Sequence, residues 1–543
     1  MIRYGVAVSI GLFAGAIALD DVPQISVSTP EGGSACGYLS HILPHSVYYP
    51  TSPTYLRQQS TYWSAQQSEL HPTCLFLPSS TDETHLGLRV IVATNTTFAI
   101  RSGGHSSVTG ASNAGCHHGC QGGASSHQSR VENQDTIQGA GSRPKPLTRT
   151  ESITFDLSLM NVTQITGDGS EVWVSTGARW GDVYRALEAY DPLSQSLAGG
   201  LRTSASVDMY SEAGCHGLRT STGGHVICGR RKSWGIVRAN AAQNADLFWA
   251  LKGSLGAFGI VTKIKVPAIR LAPTGVWGGA IGYEEQQVPD LLHALEAQNA
   301  RAEEEVETTG YLSFAWIEEW KRSTFVAYLI NNRGKANGKL TRRWTGIPHT
   351  YSNLRMMNMS TSAEDINEGN VPGFRVQKFT LTIKNSFPAM HRIYTIFQIW
   401  LSSATNTTDP PFFDANSTLG ITFQPITVPH LRASSNIFTL EPSDGPLILL
   451  SVELRWTDPR KDNMMASYMR AMGDEMYVQL NEGWVHPWVY PNYAARWQDP
   501  FDSSEDGPYG ADEGIMERLR GVKTRWDPED VFGRLRPGAF HAG

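Results

Sequence analysis

The chain has 543 residues and a formal net charge of −6, with 40% hydrophobic and 18% charged residues. This length exceeds what one hydrophobic core usually organises, so it predicts two domains. The charge balance, without any lysine- and arginine-rich run, argues against nucleic acid as a partner.

The N-terminal residues 1–18 have the pattern of a secretory signal peptide. Arg3 precedes an apolar run, and the small residues Ala16 and Ala18 match the pattern that signal peptidase cuts. The run is too short to span a bilayer, and a signal anchor is the alternative; no later apolar run is long enough to cross one. Together with the signal peptide, five N-glycosylation sequons predict a secreted glycoprotein. Their asparagines are Asn95, Asn161, Asn358, Asn406 and Asn416.

Patterned strands and helices begin at Thr81. Thr81 is predicted as the N-cap of an apolar helix, and a strand is predicted over Thr97–Arg101, running directly into glycines. A helical period covers residues 181–190, and alternation over residues 258–266 predicts a half-buried strand. Near the C-terminus, residues 518–532 predict a charged helix that ends in a Trp-Asp-Pro turn.

Six segments, in order, resemble the FAD-linked oxidoreductases of the berberine-bridge-enzyme type, within the vanillyl-alcohol-oxidase superfamily. The resemblance covers most of the chain from about Cys36, and it implies an α+β fold with a PCMH-type FAD-binding domain and an inserted substrate domain. The segments are RSGGHS (101–106), STGARWGDVY (175–184), DLFWALKG (246–253), FGIVT (258–262), YPNY (490–493) and RWDPEDVFGRLRPGAF (525–540).

The resemblance implies that His105 carries FAD through a covalent bond to the 8α-methyl group of the flavin. The neighbouring glycines allow the backbone to approach a cofactor, and a neutral imidazole is a competent nucleophile. The alternative is a loop histidine that only hydrogen-bonds its own turn. The cofactor-binding residues that the first motif implies are Arg101, Ser102, Gly103, Gly104, His105 and Ser106.

Two further parts of the resemblance concern the pyrophosphate and the reaction. Backbone N–H groups at Gly177, Gly259, Ile260 and Val261 are implied to cradle the pyrophosphate and adenine, with ordinary turn and strand roles as the alternative. Tyr490 and Asn492 match the family's Y-x-N motif.

Tyr490 is the candidate catalytic base that takes a substrate proton while hydride passes to flavin N5. Simple packing within the aromatic-rich stretch is the alternative for this residue.

The implied organisation is an FAD-binding domain over residues 19–270, a substrate domain over 271–482, and a segment over 483–543 that returns to the FAD domain. The implied reaction oxidises a hydroxyl-bearing small molecule or carbohydrate, with O2 as acceptor. The alternatives are an oxidative cyclisation enzyme of secondary metabolism and an inactive secreted glycoprotein that keeps the fold outline. No nucleic-acid or membrane partner is expected.

The cysteines suggest one disulfide, and one cysteine-containing cluster raises the question of a metal site. Cys36 and Cys74 lie in patterned sequence near the start of the mature chain, and the resemblance includes a bridge there. The cluster CHHGC at residues 116–120 contains thiols and imidazoles, but it lacks a second ligand pair at the spacing of a structural site. We therefore expect no metal.

Two blocks depart from the family pattern. Residues 114–151 lack hydrophobic periodicity and are expected to be exposed and poorly ordered. Residues 201–235 lack the expected glycine cluster and strand alternation, so a core strand and a phosphate loop are expected to be missing. Neither Cys215 nor Cys228 falls on the position of a second flavin-linking cysteine. We hypothesise that the first block is translated intron and the second a frameshifted stretch.

Overall fold

The structure is a computed structural model that describes residues 34–115, 151–190, 195–197, 223–230, 233–407, 411–433, 437–438, 440–480, 483–501 and 513–540. The signal peptide and the CHHGC cluster, predicted above, lie outside these residues. Among the described residues, no helix combines the length and the apolar character needed to cross a bilayer. The α+β fold class is confirmed, because helices pack on three separate sheets.

The first sheet has the order β1-β2-β4-β3, with β2 and β3 parallel to β4. The helix before β3 has Ser80 as its N-cap, since the Ser80 hydroxyl accepts a hydrogen bond from the Glu83 N–H; the predicted cap at Thr81 was one residue late. The strand over Thr97–Arg101 is confirmed. The elements are α1 Ala35–Ile42, β1 Val47–Tyr48, α2 Pro53–Gln59, α3 Ala65–Ser68, β2 Cys74–Phe76, α4 Thr81–Thr94, β3 Thr97–Arg101 and β4 Ser152–Asp156.

A disulfide joins α1 to β2. Cys36 and Cys74 are bonded, with their Cα atoms 6.1 Å apart, which confirms the predicted pair. The Glu151 carboxylate accepts hydrogen bonds from the N–H groups of Ala35 and Cys36 at the start of α1. Ala114 is buried as well, so the two ends of the block at 114–151 differ from the prediction, while residues 116–150 lie outside the described residues.

The second sheet has the order β5-β6-β10-β8-β9, with β7 paired to β10, and all its described pairs are antiparallel. Helices α5 and α6 pack on one of its faces. The elements are β5 Thr163–Ile165, β6 Glu171–Ser175, α5 Trp180–Tyr190, β7 Gln195–Leu197, β8 Gly223–Arg230, β9 Ser233–Ala239, α6 Ala245–Leu251 and β10 Ile260–Arg270.

Strand β8 corrects the expectation that a core strand is missing from residues 201–235. It pairs with both β10 and β9, and Val226, Ile227 and Cys228 are fully buried. Val226 and Cys228 belong to one hydrophobic cluster and Ile227 to another, so both faces of the strand are covered. A strand buried on both faces has no reason to alternate in polarity, and the absence of alternation was therefore misleading.

The third sheet is antiparallel throughout its described pairs, in the order β14-β11-β13-β12-β17-β18-β16-β19, with β15 paired to β11. Its core-facing side chains pack with the long helices α7, α10 and α12. The elements are β11 Val276–Tyr283, α7 Val288–Ala300, β12 Thr308–Ile317, β13 Arg322–Asn331, α8 Lys339–Thr345, β14 Tyr351–Ser352, β15 Arg355–Met357, α9 Met359–Asn367, β16 Arg375–Lys384, α10 Phe387–Thr405, β17 Thr418–Ile426, α11 Val428–Ala433, β18 Leu447–Trp456, α12 Asp462–Leu480 and β19 Val485–His486.

The C-terminal segment packs on the first two sheets. It forms α13, Glu513–Trp526, and α14, Val531–Arg534, which confirms the predicted helix and its Trp-Asp-Pro turn. The indole N–H of Trp526 donates to Asp246 in the first turn of α6, and the Phe98 N–H on β3 donates to the carbonyl of Leu535. These contacts tie the end of the chain to the first two sheets.

Candidate active site

The loop after β3 presents His105. Gly104 adopts a φ of 78°, in the left-handed region that favours glycine, and a Cβ built there would lie 2.9 Å from Nε of Arg101. The N–H of Trp63 donates to the Gly104 carbonyl at 3.0 Å. The turn therefore directs the half-buried His105 side chain into a cavity.

The cavity has a volume of about 510 Å³ and lies between this loop and the third sheet. That volume falls within the range of about 300–1,000 Å³ that small-molecule sites occupy. The sheet wall includes Ser313, Ala315, Gly420, Thr422, Glu453 and Arg455. The opposite wall includes Leu255, Asn492, Tyr493, Gly538 and Phe540.

A charged cluster lies on the sheet wall at β16 and β18. Lys378 Nζ is 2.8 Å from a Glu453 carboxylate oxygen, and Arg455 pairs with the other oxygen. Burial alone would raise the pKa of Glu453, but Lys378 and Arg455 outweigh it and lower that pKa to about 2. Glu453 is therefore a permanent anion between two cations, and the cluster carries one net positive charge.

The His105 imidazole is neutral in this environment. Burial lowers its pKa well below the ordinary value, and the nearby Lys378 lowers it further. The ring stacks on Trp63, with 4.1 Å between ring centroids and an angle of 24° between planes. A neutral ring retains the lone pair that a nucleophile needs.

The motif YPNY brings two tyrosines to this region. The Asn492 amide lines the cavity and donates to Tyr490 Oη at 2.8 Å, while Tyr490 is fully buried behind it. Tyr493 lines the cavity itself, and its hydroxyl accepts from Gln424 at 3.1 Å. Burial raises the pKa of Tyr493 to about 12, so its phenol keeps its proton at neutral pH. The catalytic role of Tyr490 stays a prediction, and Tyr493 is a site residue that the sequence did not single out.

Arg101 has partners within the protein. Its guanidinium forms a buried ion pair with Asp156 at 3.2 Å and lies 3.8 Å from the ring centroid of Tyr62. It also donates to the Gln58 carbonyl at 2.7 Å. Arg101 thus fixes the base of the His105 loop, and its cofactor contact stays a prediction.

The two glycines of the implied pyrophosphate cradle lie where other chain segments pass closely. A Cβ at Gly177 would lie 1.8 Å from the Leu157 carbonyl oxygen, and the Gly177 N–H donates to Met160 O. A Cβ at Gly259 would lie 2.6 Å from the carbonyl oxygen of Ile227 on β8. Ile260 and Val261 follow as the first residues of β10 and pair with β8. Close packing explains both glycines, and their cofactor contacts stay predictions.

Two buried hydroxyls test whether the site fits FAD. Ser102 lies in the His105 loop, and Ser254 lies in the glycine-containing loop before β10. Both side-chain oxygens are buried and have no hydrogen-bond partner among the described residues. Buried hydroxyls normally have hydrogen-bond partners, so a polar ligand bound at these two loops would supply the partners that Ser102 and Ser254 lack among the described residues. Together with the neutral His105 at the cavity, these residues fit FAD.

Several site residues could not be identified from sequence. Trp63 gave no signal, because an aromatic residue in a loop is usually a packing residue. Glu453 and Arg455 had a weak signal, since charged residues alternate with apolar ones along β18. The described residues contain no cluster of histidine, cysteine or acidic side chains suited to a metal ion.

Comparison with known proteins finds relatives both in sequence and in fold. No protein-family model matches the chain. It is 28% identical to the FAD-dependent monooxygenase tpcD of Cochliobolus heterostrophus, over 92% of this chain and 90% of that protein. It is 25% identical to the FAD-dependent monooxygenase FUP4 of Fusarium proliferatum, over 88% and 86% respectively.

Solved structures match over nearly the whole chain. The xylooligosaccharide oxidase of Myceliophthora thermophila C1 superposes with a TM-score of 0.66 at 16% identity, covering 94% of this chain and all of that one. The 6-hydroxy-D-nicotine oxidase of Arthrobacter nicotinovorans gives a TM-score of 0.64 at 15% identity, covering 92% and 97%. The fold is therefore that of the PCMH-type FAD oxidases.

Fold, site and relatives define the class: the chain is an FAD-dependent oxidoreductase. The resemblance to the FAD-linked oxidoreductases of the berberine-bridge-enzyme type is confirmed.

Proposed function

We propose that the protein is a secreted FAD-linked oxidase of a hydroxyl-bearing small molecule or carbohydrate, with FAD attached through His105 and O2 as electron acceptor. The observation that carries the proposal is the common cavity. His105, Asn492 and Tyr493 line it on one side, and a polar sheet face lines it on the other. Substrate in this cavity lies beside the residue that holds the cofactor.

Bound FAD would supply the two-electron oxidant. The chain's own groups bind the substrate and move its proton. Tyr490 is the proposed base, and Asn492, which lines the cavity, donates a hydrogen bond to its oxygen. Tyr493 keeps its proton, so it can donate a hydrogen bond to a substrate oxygen in the cavity. Substrate bound against the third sheet would be covered on that side by its side chains.

A second candidate is monooxygenation, which the names of the sequence relatives favour. An oxidase removes two electrons and two protons from the substrate and forms one hydrogen peroxide per turnover. A monooxygenase transfers one oxygen atom to the product, reduces the other to water, and consumes a two-electron donor. Oxidative cyclisation shares the stoichiometry of the oxidase and is distinguished by the structure of the product.

The test begins with purified protein. We expect a yellow protein whose flavin stays with the acid-precipitated chain, and His105→Ala should release it. A substrate screen should yield one peroxide per substrate without incorporation of labelled oxygen. Tyr490→Phe should reduce kcat by about 100-fold or more, as loss of a general base does, while flavin content is unchanged. A colourless protein would contradict the proposal and favour the inactive glycoprotein.

Secretion is proposed together with glycosylation. The side chains of all five sequon asparagines are exposed, so the acceptor nitrogens are accessible to a glycosyl donor. Expression with the native leader in a fungal host should place the protein in the medium. Digestion with an N-glycosidase should then lower its apparent mass, and an intracellular, unglycosylated product would contradict this part of the proposal.

A further inference from the structure

We propose that Trp63 and Lys378 form a positioning pair that orients the His105 ring and keeps it neutral for attachment to FAD. The inference deepens the proposed function and rests on it in one respect, namely that His105 is the attachment residue. Neither Trp63 nor Lys378 belongs to the sequence motifs of the FAD-binding domain.

The orientation is set by Trp63. Its ring stacks on His105 at 4.1 Å, and its side chain is only 5% exposed, which leaves little freedom to move. The Trp63 backbone is held on both sides, because its N–H donates to the Gly104 carbonyl and its carbonyl accepts from the Gly373 N–H. The indole therefore provides a fixed plane against which the imidazole is aligned.

Cations from two parts of the fold add to the effect of burial in keeping the His105 ring neutral. Lys378 Nζ lies 4.4 Å from the Trp63 ring centroid, and the Arg455 guanidinium lies 5.4 Å from it. The charged groups that act on His105 are Lys378 on β16, Glu453 and Arg455 on β18, and Arg179 before α5. Burial disfavours a protonated imidazole most strongly, and three cations against one carboxylate act in the same direction.

Neutrality matters because a protonated imidazole has no free lone pair on nitrogen. Attachment forms one bond between an imidazole nitrogen and the flavin methyl carbon. The methyl C–H bond and the imidazole N–H bond break, which releases two protons and two electrons. The flavin would hold the two electrons until O2 takes them together with two protons and forms hydrogen peroxide. The residues that fix the protonation state of His105 therefore set the rate of attachment.

The experiment follows attachment rather than turnover. Protein prepared without flavin is mixed with FAD between pH 5.5 and 8, and acid-stable flavin is measured over time. Wild-type protein should attach flavin at a rate that changes little with pH. In Lys378→Met the pKa of His105 should rise, although burial still holds it below the ordinary value, so attachment should slow at the acid end of this pH range. Lys378→Arg keeps the charge and should restore the flat profile.

Trp63→Leu should slow attachment at every pH, and Trp63→Phe should restore most of the rate. Thermal unfolding and binding of FAD in the His105→Ala background check that each variant is folded. A flat profile in Lys378→Met, or wild-type rates in Trp63→Leu, would overturn the inference.

A second measurement is independent of attachment. The pKa of His105 can be read from the ring-carbon NMR shift of labelled histidine in flavin-free protein, with His105→Ala used to assign the signal. Lys378→Met should lower the acid dissociation constant of His105 at least tenfold, and an unchanged constant would overturn the inference. Wild-type protein that binds FAD without attaching it would instead contradict the proposed role of His105.

Discussion

Replacing Glu453 with glutamine is expected to destabilise the third sheet. Glu453 is the single carboxylate between Lys378 and Arg455, and its side chain is 20% exposed. The drop of its pKa from 4.5 to about 2 corresponds to about 3 kcal/mol of stabilisation by its partners. Glu453→Gln removes this contribution and leaves two cations uncompensated.

The effect should depend on pH in one direction. Because the pKa in the folded protein is lowered, the stabilisation is complete above pH 4.5 and is lost as the pH falls toward 2. At pH 7, about 3 kcal/mol corresponds to a decrease in Tm of about 6–12 °C for a domain of this size. The difference between variant and wild type should shrink toward zero near pH 2.

Thermal unfolding of the purified protein, followed by tryptophan fluorescence from pH 2 to pH 7, measures this difference. Glu303→Gln is the matched control, since Glu303 forms an exposed ion pair with Arg432 whose loss should cost less than about 1 kcal/mol. A Glu453→Gln variant as stable as Glu303→Gln at pH 7 would refute the assigned electrostatics, as would a difference that persists unchanged at pH 2.

Three further predictions concern packing. Gly538→Ala places a Cβ 2.0 Å from the backbone of Gly110, so the backbone at one of these two residues must shift. Because Gly538 lines the cavity, titration with FAD should show weaker binding than in wild type. Cys36→Ser opens a loop with a sequence separation of 38 and should lower stability by about 4 kcal/mol; a reductant should lower the Tm of wild type but not of the variant. Gly420→Leu places a large side chain on the sheet wall of the cavity and should raise KM at least tenfold with unchanged flavin content. Equal KM values in variant and wild type would place the substrate elsewhere.

Local sequence signals predicted the elements whose structure is decided locally. The α4 helix and β3 strand followed from a capping pattern and a short apolar run, and both ends of the disulfide lay in patterned sequence. Strand β8 was missed because its buried residues are consecutive, and only the two hydrophobic clusters around it show that both faces are covered.

The sequence singled out residues on one side of the cavity only. His105 lies in a motif whose glycines are adjacent in sequence, so the motif alone drew attention to it, and its cofactor role stays a prediction. Trp63, Lys378 and Glu453 meet only because the loop that carries Trp63 packs against β16 and β18 of the third sheet. Contacts between distant segments leave no periodic pattern in the sequence, and the protonation state of His105 depends on those contacts.

The position of the C-terminal segment has a consequence for biosynthesis. The Phe98 N–H is satisfied by the carbonyl of Leu535, and Val531, Phe532 and Leu535 complete the core around the first sheet. These residues leave the ribosome after all of the third sheet has been made. The core around the first sheet therefore stays incomplete until the last part of the chain has been translated, and contacts of such long sequence separation form slowly. Its exposed apolar residues are a site where chaperones would bind the nascent chain.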